Sequence, residues 1–194
     1  MEDQPEAPEQ GDLLSEASDL SVARSLLADL HHELPEMVTR FRYLIDLGAD
    51  LGPSGTMLFG GITSYYAWTE ARSSFVHGNY VATILLCQSL MENLLAGFLW
   101  SAGSAQMSQR IQFGDTLDRC IAIGLLTADE FNDLKRLAGL RNPLTHFRDV
   151  TDQQNLFRRQ QTNDRHALDI LTSDAWFAIS LAVRMLAKKP FRVG

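Results

Sequence analysis

The chain has 194 residues, 45% of them apolar and 21% charged, which suffices for one domain with its own core and falls short of two full ones. This composition excludes a wholly disordered chain and a collagen-like repeat, and a count of two cysteines, Cys87 and Cys120, excludes a disulfide scaffold. The formal net charge of -7 is unevenly spread: residues 1–36 hold ten acids against one base, while residues 135–194 hold eleven bases against five acids. Such asymmetry fits a polyanion site, two halves that attract each other, or simply solvated faces.

Residues 1–12 are acidic, contain proline and lack apolar periodicity, so a disordered tail is expected. Residues 13–61 read as a helical extension followed by a glycine-rich loop. Leu20, Ala23, Leu27, Leu30 and Leu34 recur at three- and four-residue steps, and Pro35 marks a break or a new start. Met37, Val38, Phe41, Leu44 and Ile45 continue that spacing up to Gly48. Gly48, Gly52, Gly55, Gly60 and Gly61 then interrupt it, without the Gly-Lys-Ser/Thr of a phosphate-binding loop.

Residues 62–190 read as a helical bundle. Ile62 to His77 form an aromatic-rich helix that Gly78 closes, and Asn79 fits the N-cap of the next. Residues 79–101 are apolar nearly all round, and Tyr80 to Trp100 are long enough to span a bilayer. Gln88, Glu92 and Asn93 lie near the middle of that run, and a carboxylate in hydrocarbon is costly, so it reads as a core helix with no membrane partner. A shorter helix carries Leu117 and Ile121 and stops near Gly124. Thr127-Ala128-Asp129-Glu130 spells a capping box that opens a helix through Leu134, Leu137 and Leu140. Arg148 to Asp169 reads as a long polar loop. A final helix starts around Thr172 and runs to Lys189, with two cations in its last turn and Pro190 after it.

No segment alternates with period two, so the expected fold is all-α, an antiparallel up-and-down helical bundle with additional N-terminal helices. Both cysteines fall in apolar helical patterns, and no basic stretch precedes an apolar one at the start. Buried thiols and a cytoplasmic location are therefore expected.

Metal and nucleophile signatures such as His-Glu-x-x-His, Cys-x-x-Cys and Gly-x-Ser-x-Gly are absent, and no cofactor is expected. One segment stands apart: Arg141-Asn142-Pro143-Leu144-Thr145-His146. Pro143 disfavours helical geometry at Asn142 and suits the start of a new turn, which Asn142 is placed to cap. Arg141 supplies a permanent planar charge that grips phosphate, and His146 a side chain able to transfer protons near neutrality. That pair is what metal-free RNA cleavage by the ribose 2′-OH requires. Glu92, on its apolar helix, needs a partner, and Arg141 is the candidate. The pair either neutralises a buried Arg or orients it toward phosphate. Arg148, Arg158 and Arg159, near Phe147 and Phe157, are candidates for gripping an RNA backbone, or else belong to a solvated loop.

Arg141-Asn142-x-x-x-His146 follows a Leu-rich helix and lies downstream of an apolar helix containing Gln88-Ser89-Leu90-Met91-Glu92-Asn93. In this the chain resembles the HEPN superfamily over residues 62–189, although Pro143 directly after Asn142 is not its commonest choice. The resemblance implies a small up-and-down bundle that often works as a metal-independent endoribonuclease in toxin–antitoxin, defence or RNA-processing roles. It also implies a homodimer with both motifs at the interface, Arg141 and His146 as catalytic residues and Asn142 as their positioner. Partners implied are RNA and a protein such as an antitoxin. Some members are instead non-catalytic modules that bind proteins or nucleotides, and a purely structural bundle whose helix 62–76 docks a partner is a further reading.

Overall fold

A computed structural model describes residues 19–103 and 111–193; the tail expected over residues 1–12 lies outside them. Among the described residues the fold is all-helical, with seven α-helices and no strand. They are α1 (Asp19–Gly48), α2 (Gly61–Val76), α3 (Tyr80–Ser101), α4 (Phe113–Ala122), α5 (Ala128–Thr145), α6 (Leu156–Asn163) and α7 (Ala167–Leu186).

α3 is the centre of the bundle and packs against α2, α4, α5 and α7. Ile84, Cys87, Leu90, Met91, Leu94, Leu95 and Leu99 are fully buried, which accounts for a helix that is apolar on nearly every side. It is the one described helix long and apolar enough to cross a membrane, and here its residues form the core. α7 packs against it, and the small buried side chains of Ala175, Ala178 and Ala182 on α7 suit a close approach. The glycine-rich loop crosses α3 just as closely. A Cβ at Gly97 would collide with the backbone nitrogen of Gly60, and one at Gly60 would lie 2.6 Å from the Asn93 carbonyl oxygen.

That loop is pinned by the C-terminal segment, a pairing without a sequence signature. Met57 N donates to Phe191 O (2.6 Å), Val193 N donates to Gly55 O (3.1 Å), and Thr56 and Arg192 form an isolated antiparallel bridge. Phe191 is fully buried, edge-on to Phe59 and Phe98 with centroids 5.9 and 5.6 Å away.

Four local expectations are corrected. Pro35 does not break the first helix: α1 runs through it for 30 residues. Pro35 removes one N–H from a turn that is fully exposed, so the carbonyl of His31 is left to water rather than to an apolar interior, and Thr39 Oγ1 donates to Pro35 O at 3.0 Å. Only the end of α1 docks, where buried Arg40 donates to Val76 O (2.9 Å) and Tyr43 meets Ser180 Oγ (2.6 Å); the leucine stripe from Leu20 to Leu34 is exposed.

The stretch Arg148–Asp169 is not all loop. Asn155 Oδ1 accepts from Phe157 N and caps α6, a helix too short and too polar to show a period. His166 Nδ1 accepts from Leu168 N, so α7 begins at Ala167, before Thr172. At its other end α7 stops at Leu186, and Lys188 and Lys189 lie beyond its last turn. Lys188 pairs with Glu130 of α5 instead, a contact between distant segments.

Cys87 and Cys120 are buried free thiols. Loss of water around the sulfur pushes Cys120 up to about 12 and Cys87 higher still. Neither thiol should react with a disulfide reagent at pH 8 in the folded protein, and both should react at once in guanidinium. Rapid labelling of the native chain would contradict this burial.

Candidate active site

α5 begins firmly. Thr127 Oγ1 accepts from Glu130 N (3.3 Å) and the Glu130 carboxylate accepts from Thr127 N (2.8 Å), the capping box read from the sequence. Partial burial alone would raise the Glu130 carboxyl. Hydrogen bonds from Lys188 and Thr127 and the Lys188 charge outweigh it and hold the carboxyl below its ordinary value. This anchoring fixes the first turn of the helix whose last turn carries the motif.

Pro143 does not interrupt α5, which stays helical to Thr145. Pro143 supplies no N–H to the carbonyl four residues back, that of Gly139, a residue that borders open hollows of about 350 and 460 Å³. Asn142 therefore does not cap a new turn. Its Oδ1 accepts from Arg141 Nη1 at 3.5 Å, while its carbonyl accepts from His146 N (3.0 Å) and Thr145 Oγ1 (3.3 Å). Past that turn His146 adopts an extended backbone, which folds its ring back toward the helix. Arg141 Nη1 and His146 Nε2 come to 3.5 Å, with Nε2 accepting when the ring proton is on Nδ1. Arg141 is half-buried and His146 exposed, so the pair meets at the surface.

Glu92 and Arg141 do not form the expected ion pair; no salt bridge joins them among the described residues. The reason is space. A cavity of about 350 Å³ separates this stretch of α3 from α5, and both side chains line it, together with Gln88, Phe113, Lys135 and Asn142. A second hollow of about 550 Å³ adjoins it, sharing Glu92, Phe113 and Arg141 and adding Asn93, Ile111 and Thr116. Gln88 and Phe113 were not among the candidates read from the sequence. The available signal was the four-residue step from Gln88 to Glu92, which sets two polar groups on one face of an otherwise apolar helix.

The candidate backbone grips divide. Arg159 makes a two-point contact with buried Asp174 (2.7 and 3.0 Å), tying α6 to α7, and Arg148 reaches Asp152 at 3.3 Å. The guanidinium of exposed Arg158 has no hydrogen bond among the described residues and is open to an anion.

Glu130→Gln should lower stability by about 1 kcal/mol at pH 7, the usual worth of a cap. A lowered carboxyl stabilises the fold above its unfolded value and loses that contribution as pH falls through the folded one. In urea melts the gap between variant and wild type should therefore close below pH 4; a gap constant with pH would assign the effect to packing.

Comparison with family models, with curated proteins and with solved structures finds no match to this chain.

Proposed function

We propose that the chain is an HEPN-like up-and-down bundle acting as a metal-independent endoribonuclease. The observation that carries this reading is the 3.5 Å approach of Arg141 Nη1 to His146 Nε2 at an exposed helix end beside two hollows. The resemblance of the Arg141-Asn142-x-x-x-His146 motif supports it.

The chemistry asks little of the protein beyond these groups. His146 Nε2 takes the proton of the ribose 2′-OH as its oxygen attacks the adjacent phosphorus. The Arg141 guanidinium stabilises the extra negative charge on the phosphoryl oxygens. The P–O5′ bond breaks, the departing oxygen takes a proton, and the products are a 2′,3′-cyclic phosphate and a 5′-hydroxyl. One motif offers one imidazole, whereas attack and departure profit from both a base and an acid. A two-fold homodimer about the motif supplies the second. Phe147, next to His146, is 93% exposed and Val150 is exposed beside it, apolar surface that such a seam would cover. Arg158 is placed to hold the RNA backbone further along. The setting proposed is cytoplasmic, with an antitoxin-type protein as regulator.

A second reading has its own support. The contacts of Arg141 with Asn142 and His146 all lie within one helix end, as they would if the motif braced a non-catalytic protein- or nucleotide-binding module.

The two readings separate in one assay. RNA incubated with the protein and EDTA should be cut to products ending in 2′,3′-cyclic phosphate, and His146→Ala should slow the cut by roughly 10²–10⁴-fold, the usual worth of a positioned acid or base. Equal cleavage by wild type and variant, or none from either, ends the nuclease proposal.

A further inference from the structure

We infer that the projecting part of α1 pairs with the same helix of a second copy of this chain, as a parallel two-stranded coiled coil. The inference draws nothing from the ribonuclease reading and concerns a different helix from the one that bears the motif.

Every residue from Asp19 to Glu36 is exposed, a stretch of about 27 Å at the helical rise per residue. α1 is anchored only beyond that point, through Arg40, Tyr43 and buried Leu44. A helix draws most of its stability in water from the packing of its apolar side. Here that side is bare, and Pro35 has already removed one backbone hydrogen bond. The stretch calls for a cover.

The spacing of its apolar residues identifies the cover. Leu20, Leu27, Leu34 and Phe41 recur at every seventh position, and Ala23, Leu30 and Met37 stand three residues after the first three. This is the a/d seam of a coiled coil, held over three heptads. The four leucines of the seam are 45% to 65% exposed and Phe41 is 51% exposed, so their own bundle leaves them uncovered. With Leu26 and Val38 beside them they present on the order of 600 Å² per copy, or about 1,200 Å² for a pair, the size at which specific interfaces become stable.

The polar residues select an identical helix in the parallel sense. In a parallel pair each g position faces the e position five residues on in the other chain. Asp19, at g, thus meets Arg24, at e, of the second copy, and the two-fold axis repeats the contact. The next two such pairs, Leu26 with His31 and Glu33 with Val38, bring no like charges together. The other acids of the stretch, Asp29 and Glu36, fall at c and Pro35 falls at b. These positions face outward, where the carboxylates of two copies are apart and screened and the carbonyl left by the proline stays in water.

The test weighs the full chain by sedimentation equilibrium, as wild type and as Leu27→Glu, at equal micromolar concentration. Leu27 is exposed, so the bundle folds in both. The variant should have half the mass of wild type and should lose helix by circular dichroism as residues 19–36 lose their cover. Leu20→Cys should cross-link to its counterpart under mild oxidation, because only a parallel pair sets position 20 beside itself. Wild type should form no such cross-link, since Cys87 and Cys120 are buried. Equal masses for wild type and Leu27→Glu, or no cross-link at position 20, overturn the coiled coil. The two proposals fail separately: RNA cleavage without this pairing keeps the nuclease alone, and pairing without cleavage keeps the coiled coil alone.

Discussion

A helix that is apolar around most of its circumference is stable in water only when other elements enclose it, and α3 sets that condition for the whole molecule. α2, α4, α5 and α7 are arranged to cover it, and the loop that crosses it at Gly97 is held down by the C-terminal segment through Phe191. The enclosure is incomplete in one place. Where Gln88 and Glu92 replace apolar residues, α5 stands off and a cavity opens. Two polar groups on a core helix cost burial energy. Their placement against the motif-bearing end of α5 is what makes the cavity functionally interesting.

The motif depends on that same arrangement. α5 is anchored at its first turn by the capping box and the Lys188 contact, and it packs against α3 through Leu134 and Leu137. Its last turn is consequently a rigid end from which His146 can fold back onto Arg141. Pro143 lies inside the helix, within its last turn. Continuity of the helix, rather than a kink, brings the guanidinium and the imidazole together.

Much of the basic character of residues 135–194 is used inside the fold. Arg159 with Asp174 and Arg184 with Asp133 each join two helices, and Lys188 with Glu130 ties the segment after α7 to α5. Arg136 lies 4.0 Å from the centre of the Phe177 ring. Charge counted along a chain therefore overstates the charge available to a polyanion. What is left open is local: Arg158 exposed on α6, Lys189 and Arg192 exposed past the end of α7, and Arg141 at the cavity wall.

Helix content, the capping box at Thr127, the turns at Gly78 and Gly124 and the burial of both cysteines were legible in the sequence, because each rests on interactions a few residues apart or on the apolar pattern of one helix. α6 was not legible, since eight residues, six of them polar, are too few to show a period and the helix is held by a salt bridge to α7. The fate of Pro35 was likewise undecidable from propensity, because it depends on whether the surrounding turn is buried or wet. Arg141 and His146 could be picked out as a pair from their types and spacing. That Glu92 faces a cavity rather than Arg141 was settled by the separation of α3 and α5, a distance between elements on which no local pattern reports.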